Sequence, residues 1–317
     1  MKVYNAPVDP SDRLLLKLSE YRSLRNFDAA SWVAEKITLI NDYFTQCNLT
    51  AAVLGLSGGI DSSVALALLF MASNRPASPI SKIVPLMLPA LNYDGATNQD
   101  DSIHRGTVLC EQLGIKARKF TKLAEVATLI SDSLDEILDE SPTAWSRGQL
   151  TAYSRTPVLY NACSILTDAG FPAIVIGTTN LSEGGYLGYV GKASDGLVDL
   201  QIISDLYKSE VYAVARYLKL PEVILEAIPS GDMYDGRNDE EVFGASYDFV
   251  ELYHLWLQYG SDPALLADEQ FVRAQKNLEG LHTYNSHKYT YGSPAVHPDI
   301  LDAKIPNGWN NPVWRKK

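Results

Sequence analysis

Cysteine is scarce in this chain: Cys47, Cys110 and Cys163 are the only three in 317 residues, far apart and set among apolar neighbours. That excludes a disulfide framework and a cysteine-based zinc site, and leaves reduced, buried thiols in a cytoplasmic protein as the expectation. Positive charge is also short. Lysine and arginine number 27 against 38 acidic residues, a formal charge of −11, so no broad basic surface is available to hold a nucleic-acid backbone. A polyanionic ligand must be met by a few placed cations. No stretch approaches the ~18 apolar residues of a membrane span. Asp9, Asp12 and Arg13 stand before any apolar run, so the N-terminus does not read as an export leader. There is no internal repeat and no low-complexity tract. With 46% hydrophobic and 21% charged residues, the chain has a globular composition and the material for a sizeable core.

A Walker A phosphate loop is missing as well. That motif needs four residues between its glycines and a Gly-Lys-Ser/Thr ending, whereas the only Gly-Lys here, Gly191-Lys192, is followed by Ala193. What the chain offers instead is Ser57-Gly58-Gly59-Ile60-Asp61-Ser62-Ser63, between an apolar run at 51–56 and another at 64–70. The order reads strand, glycine turn, helix. Backbone N–H groups and the positive end of a helix dipole then face one point, as a polyphosphate requires. Gly58 and Gly59 let the backbone approach an anion closely. The hydroxyls of Ser57, Ser62 and Ser63 can donate to phosphate oxygens, and the Asp61 carboxylate can hold a Mg²⁺ on them.

Around this loop, Val33, Ile37, Ile40 and Phe44 recur at helical spacing after a polar segment at 1–29. A β-like run at 83–88 is followed by a polar helix at 97–113 ending at Gly114, then by a short strand at 116–120. A helix near 157–169, a buried strand at 173–177 and a helix from about 207 to 218 complete the pattern. The alternation predicts an α/β fold with a doubly wound, mostly parallel sheet and helices on both faces. Ligands of such sheets lie beyond the strand C-termini, where Ser57 and Thr178 fall. The acidic run Asn238-Asp239-Glu240-Glu241 reads as a solvated face or a helix start. From about Gly260 the apolar pattern weakens, so 260–317 is expected to wrap over a single domain spanning 1–317 rather than to form a second core.

The pattern SGGxDS resembles the PP-loop of ATP pyrophosphatases, which break ATP between its α and β phosphates and place AMP on a substrate. Further segments resemble the NAD synthetase family in order and spacing. They are Ile176-Gly177-Thr178-Thr179-Asn180-Leu181-Ser182-Glu183, Ser194-Asp195-Gly196-Leu197-Val198-Asp199, Leu206-Tyr207-Lys208, Pro229-Ser230-Gly231-Asp232, Ser246-Tyr247-Asp248 and His287-Lys288. The resemblance runs from about Trp32 to Lys288. It implies an adenine nucleotide alpha hydrolase-like fold, a homodimer, and ATP-dependent amidation of deamido-NAD through an adenylated intermediate, with AMP and pyrophosphate released. It implies residue roles too. Asp61 and Glu183 would hold Mg²⁺ and form the catalytic set with Lys208. Gly55, Ser57, Gly58, Gly59, Asp61 and Ser62 would bind ATP together with Thr178, Lys208 and Ser230. Arg155, Lys192, Asp199, His287 and Lys288 would bind deamido-NAD.

Two departures fall on the dinucleotide side. Tyr153 stands where the family often has a first arginine two residues before Arg155, and the glycine-rich segment from Gly184 to Lys192 is one residue longer than the short-chain pattern. Only about fifty residues precede the loop, too few for the amidase domain of the glutamine-dependent branch. Free ammonia, or a separate glutaminase, is therefore expected to supply nitrogen. The alternatives are another PP-loop amidoligase acting on a different carboxylate, and a non-catalytic module that binds ATP or AMP.

Overall fold

Short apolar runs without polar alternation lie flat only where a sheet is covered on both faces, and the runs at 51–55 and 173–177 form the middle of such a sheet. The computed structural model describes residues 6–89, 99–138, 140–231 and 236–288. Thr97, Asp232 and the tail beyond Lys288 lie outside the described residues. In chain order the elements are α1 (Asp12–Arg25), α2 (Ala29–Gln46), β1 (Ala51–Gly55), α3 (Ile60–Ser73), β2 (Lys82–Leu86), α4 (Asp100–Leu113), α5 (Leu123–Asp135) and α6 (Ala144–Asp168). Then come β3 (Ala173–Gly177), β4 (Leu200–Gln201), α7 (Lys208–Tyr217), α8 (Glu222–Leu225), α9 (Asp239–Phe243), α10 (Tyr247–Gln258) and α11 (Glu269–Asn285).

The strands pair in the order β2-β1-β3-β4, all parallel, with Ala51 opposite both Lys82 and Ala173. The chain leaves β1 in one direction and β3 in the other, so the switch point of the sheet lies between them. That is where doubly wound sheets open a ligand crevice. Pro85 sits in β2, an edge strand, where a missing N–H is tolerated. On one face Ile37, Ile40 and Phe44 of α2 pack with α3 and with Val211 and Val214 of α7. On the other, Leu159 and Cys163 of α6 cover Val53 and Val175, and α5 packs outside α6. Two buried ion pairs, Arg25–Glu210 at 2.5 Å and Lys36–Asp205 at 3.0 Å, tie the first two helices to α7 and the segment before it.

Several expectations are corrected. The segment at 1–29 contains α1, whose Leu14, Leu18, Tyr21 and Arg25 form a narrow buried stripe. The region after Gly260 is not a wrapping tail as far as Lys288. It contains α11, and Phe271, Ala274, Leu278 and Leu281 join α1 and α10 in a second hydrophobic core. The helix expected from 157 begins at Ala144 and carries Pro157 inside it, so the Tyr153 carbonyl lacks its usual N–H partner there. The strand at 116–120 reduces to a bridge between Met87 and Lys119. Cys110 and Cys163 are buried but Cys47 is exposed, and all three are free. No helix among the described residues is long and apolar enough to cross a membrane.

Candidate active site

β1 ends at Gly55 and α3 begins at Ile60, so the chain must turn from strand to helix within four residues. Gly58 takes φ +76°, and a Cβ there would collide with the Ser102 carbonyl of α4, so conformation and space both demand glycine. Gly59 is the N-cap of α3, and the unpaired N–H groups of the first turn open toward the switch point. Ser57 Oγ accepts from the Gly59 N–H at 3.2 Å and lies 3.0 Å from Ser62 Oγ. Ser63 departs from its expected role. Its hydroxyl donates to the Gly59 carbonyl at 2.8 Å and it is fully buried, so it braces the first helical turn instead of facing a ligand. Arg105 of α4 donates from Nε to the Gly58 carbonyl at 2.9 Å and from Nη2 to Ser102 Oγ at 3.0 Å, bringing to the loop a cation that the motif does not announce.

Across the switch point, the chain after β3 forms one π turn, Leu181–Gly185, capped by Asn180. Asn180 Oδ1 accepts from the Glu183 N–H at 3.1 Å, while its Nδ2 donates to Asp61 Oδ1 and to Glu183 Oε1, both at 2.8 Å. Lys208, the first residue of α7, stands between the same carboxylates, with Nζ 2.7 Å from Asp61 Oδ2 and 2.7 Å from Glu183 Oε1. It is only 3% exposed, a burial that lysine accepts when it is paired. The Tyr247 hydroxyl of α10 lies 2.7 Å from Glu183 Oε1 and 2.8 Å from Asp239 Oδ2. Asp239 is therefore no part of a solvated face: it is 3% exposed and lines the cleft.

Burial disfavours the charged form of every group here, and the partners decide whether it prevails. Burial pushes the Asp61 carboxyl up, against the pull of Lys208. It opposes ionisation of Glu183 as well, but Lys208, Tyr247 and Asn180 outweigh it and hold that carboxyl below its ordinary value. Burial also disfavours a charged Lys208, yet Asp61 and Glu183 more than compensate and keep the ammonium protonated far above the usual range. Asp239, buried and facing Glu183, is pushed up to about 6. The cleft these groups line has a volume of about 320 Å³. Among the described residues no group of three or more His, Cys, Asp or Glu side chains is placed to cage a metal. The two carboxylates Asp61 and Glu183 suit a hard cation shared with phosphate oxygens, which is how Mg²⁺ is commonly bound.

The wall beyond the π turn is held from the second core. Tyr186 donates its hydroxyl to Glu279 Oε1 at 2.7 Å, and His282 Nδ1 lies 2.7 Å from the Tyr186 carbonyl. Asn285 Nδ2 donates to the Leu187 carbonyl at 2.8 Å, and Lys288 Nζ donates to the carbonyls of Gly188 at 2.8 Å and Val190 at 2.6 Å. Residues 279, 282, 285 and 288 recur every third position, so one helical face grips successive residues of the loop. Burial pushes the Lys288 ammonium down to about 8. The loop so held carries Tyr189 into the cleft wall.

The family model of NAD synthase matches residues 32–291. The chain belongs to the NAD synthase family. It is 30% identical to the NH(3)-dependent NAD(+) synthetase of Fusobacterium nucleatum subsp. nucleatum over 215 residues, covering 67% of this chain and 74% of the relative. Identity to the enzyme of the same description from Methanosarcina acetivorans is 30% over 261 residues, covering 82% and 94%. Among solved structures, the NMN synthetase of Francisella tularensis superposes with a TM-score of 0.67 at 25% identity, covering 83% of this chain and 96% of that one. The NH3-dependent NAD synthetase of Campylobacter jejuni, at 23% identity, shares the fold with a TM-score of 0.60, covering 83% and 96%.

Within this NAD synthase frame, every residue expected at ATP lines the one cleft except Gly58, which makes its turn. The dinucleotide side is less complete. Arg155 of α6 lines the cleft, but Lys192 and His287 are exposed and outside its lining, and Lys288 is occupied by loop carbonyls. Asp199 turns to the sheet instead, where Oδ2 accepts from the Val175 N–H at 2.7 Å and Oδ1 lies 3.4 Å from the Tyr160 hydroxyl. The structure does not bring those four residues into the cleft. Tyr153 is exposed on α6 and bonds Gln149 at 3.0 Å. The segment that reads one residue long against the family overlaps the end of the π turn at Gly184 and Gly185. Sequence reasoning missed Arg105, Asn180, Tyr189, Tyr247 and Asp239 as members of the site. Asn180 alone had a local signal, an asparagine three residues before Glu183 at the spacing of a helix cap.

Proposed function

We propose that this chain is an ammonia-dependent NAD synthetase: it adenylates the nicotinate carboxylate of deamido-NAD with ATP, releases pyrophosphate, and lets ammonia displace AMP. The observation that carries the reading is the Asp61–Lys208–Glu183 cluster facing the glycine loop. Relatives described as NH(3)-dependent NAD(+) synthetases support the substrate assignment. A carboxylate does not accept ammonia at neutral pH until one of its oxygens becomes a good leaving group, and AMP supplies that. In the first step a carboxylate oxygen bonds to the α phosphorus as the bond to pyrophosphate breaks. The N–H groups at the start of α3, the hydroxyls of Ser57 and Ser62 and the Lys208 ammonium stand ready for the charge that grows on the phosphates. In the second step the ammonia lone pair attacks the acyl carbon, the bond to AMP breaks, and the nitrogen gives up one proton.

Lys208 offsets one of the two carboxylates, so the cluster keeps a negative charge that repels a polyphosphate. Asp61 and Glu183 would hold Mg²⁺, which supplies neutralisation of the phosphate oxygens when bound. Arg155 is the anchor for the anionic dinucleotide, through charge-assisted bonds. Nitrogen enters as free ammonia or from a separate glutaminase. The three free thiols support a reducing, cytoplasmic setting. Two copies pair through the exposed apolar side of α5 and the start of α6, where Leu129 and Trp145 stand out.

One observation favours a second substrate for the same chemistry. The likeness to an NMN synthetase, with Arg155 alone of the expected dinucleotide residues lining the cleft, points to the nicotinate mononucleotide. Purified protein with Mg-ATP and ammonium is offered each carboxylate in turn. Deamido-NAD should give NAD, AMP and pyrophosphate in equal amounts, and Asp61→Ala should lower the rate at least ~10²-fold, as for loss of one preorganised charge-stabilising group. Formation of ADP and phosphate refutes the reading, and faster turnover of the mononucleotide moves it to the second substrate. Glutamine supporting the same rate as ammonium refutes the ammonia dependence.

A further inference from the structure

Ser230 lines the cleft, and its backbone is held on both sides by a single residue. The Asp239 N–H reaches the Pro229 carbonyl at 3.4 Å, and Asp239 Oδ1 accepts from the Gly231 N–H at 2.8 Å. The other carboxylate oxygen lies 2.8 Å from the Tyr247 hydroxyl, and through that hydroxyl Asp239 is linked to Glu183 and so to Lys208. Its aim is fixed locally. Asn238 caps α9 with reciprocal bonds to Glu241, both 2.9 Å, which place Asp239 at the first helical position with its carboxylate turned into the cleft. Gly231 leaves this contact little freedom, since a Cβ there would come within 2.9 Å of the Tyr189 hydroxyl and 3.5 Å of Asp239 Oδ1.

The Tyr247 bridge adds a constraint of its own. A phenol carries one proton and cannot donate to two carboxylates at once. With Glu183 and Asp239 both in hydrogen-bond reach of that oxygen, the three side chains form one bonded unit, and a displacement at one end is felt at the other. A carboxylate that merely favoured the positive end of α9 would need neither near-complete burial nor these two partners.

We propose that Asp239 is a positioning residue for the nucleotide end of this reaction: it brackets Ser230 and, through Tyr247, locks that backbone to the Glu183–Lys208 pair. The proposal rests on the ATP-dependent reading of the cleft, and it concerns ATP rather than the carboxylate substrate. The test measures Mg-ATP binding by calorimetry on the full chain, with KM and kcat for both substrates and a melting curve. Asp239→Asn keeps the volume but removes the charge that strengthens the bonds to Gly231 and Tyr247. It should weaken Mg-ATP binding and raise KM for ATP about tenfold or more, as for loss of a bond to a charged group, and leave KM for the carboxylate substrate within about twofold. Tyr247→Phe keeps the Asp239 bond to Gly231 and cuts only the bridge, so it should lower kcat. The double variant should lose less than the product of the two single losses, because both act on one unit. Wild-type ATP affinity in Asp239→Asn, equal effects on both substrates, or independent losses in the double variant would overturn the proposal. If Asp239→Asn melts too early to assay, Tyr247→Phe binding and turning over ATP like wild type overturns it equally. Wild-type protein that binds Mg-ATP but amidates neither nucleotide sinks the substrate reading alone, and wild type that binds no Mg-ATP sinks both.

Discussion

Asp61 is legible in the sequence because it stands inside the glycine loop, whereas Glu183 and Lys208 are legible only through the family resemblance. Their partners are not. Asn180 is marked only by its cap spacing to Glu183, while Tyr247 and Asp239 reach the cluster from other helices, and a hydrogen bond made across the fold leaves no mark on the neighbours in sequence. Asp239 lies in an acidic run that suits a solvated helix start, and only packing decides which of those acids is buried. His254 makes the same point outside the site. It lies in the second core with its Nε2 lacking a partner among the described residues, beside the rings of Tyr186, Tyr207 and Tyr253 and near His282. Burial, with a smaller push from His282, takes its pKa down from 6.5 to about 3. The unfolded chain therefore binds more protons between those values, so the stability that neutral His254 contributes is complete above pH 6.5 and is lost as pH falls toward 3. Below pH 6.5, urea unfolding of wild type should lose stability more steeply than that of His254→Leu, by about 1.4 kcal/mol per pH unit. Parallel profiles would show that this histidine does not carry the acid sensitivity.

At the scale of elements, β1, α3, β3 and α7 follow from uninterrupted apolar runs and clear helical spacing, whereas α1 and α11 do not. Their buried stripes are narrow and interleaved with charge, so the 3.6-residue period is diluted. The grip of α11 on the 186–190 loop is still harder to read. Apart from the Tyr186 hydroxyl on Glu279, it is made to backbone carbonyls, and so is indifferent to which side chains the rest of the loop carries. That grip changes the reading of Lys288, which the resemblance assigns to the dinucleotide and the fold assigns to the carbonyls of Gly188 and Val190. Lys288→Met leaves two carbonyls without their donor, at a cost of about 1–3 kcal/mol for each that stays buried. Amide hydrogen exchange should then quicken across residues 186–191 and stay unchanged in β1 and β3. Exchange that stays slow in the loop, combined with a higher KM for the dinucleotide, would return Lys288 to the role of a direct ligand.

For the molecule as a whole, the alternation of strands and helices was enough to give a doubly wound sheet and to place the cleft beyond β1 and β3, because a parallel sheet admits few other arrangements. It was not enough to reveal a second core, since long-range packing of α1 and α11 on α10 joins the two ends of the described chain. Nor does the alternation say what lies outside α6. There Leu129 is 69% exposed, Ile137 74% and Leu138 57%, apolar side chains set among the exposed acids Asp132, Asp135 and Glu136. A two-fold axis would bring this face against its own copy, so that any residue on it appears twice in the contact. One glutamate at Leu129 and one at Ile137 then place four like charges in a surface that must lose water to close, while costing an isolated chain little at exposed positions. Light scattering at micromolar concentration should give wild type the mass of two 34.9 kDa chains and the Leu129→Glu/Ile137→Glu variant the mass of one, with the far-ultraviolet circular dichroism unchanged. A wild type of single-chain mass would rule out the dimer, and a variant that stays paired would move the interface away from α5 and α6.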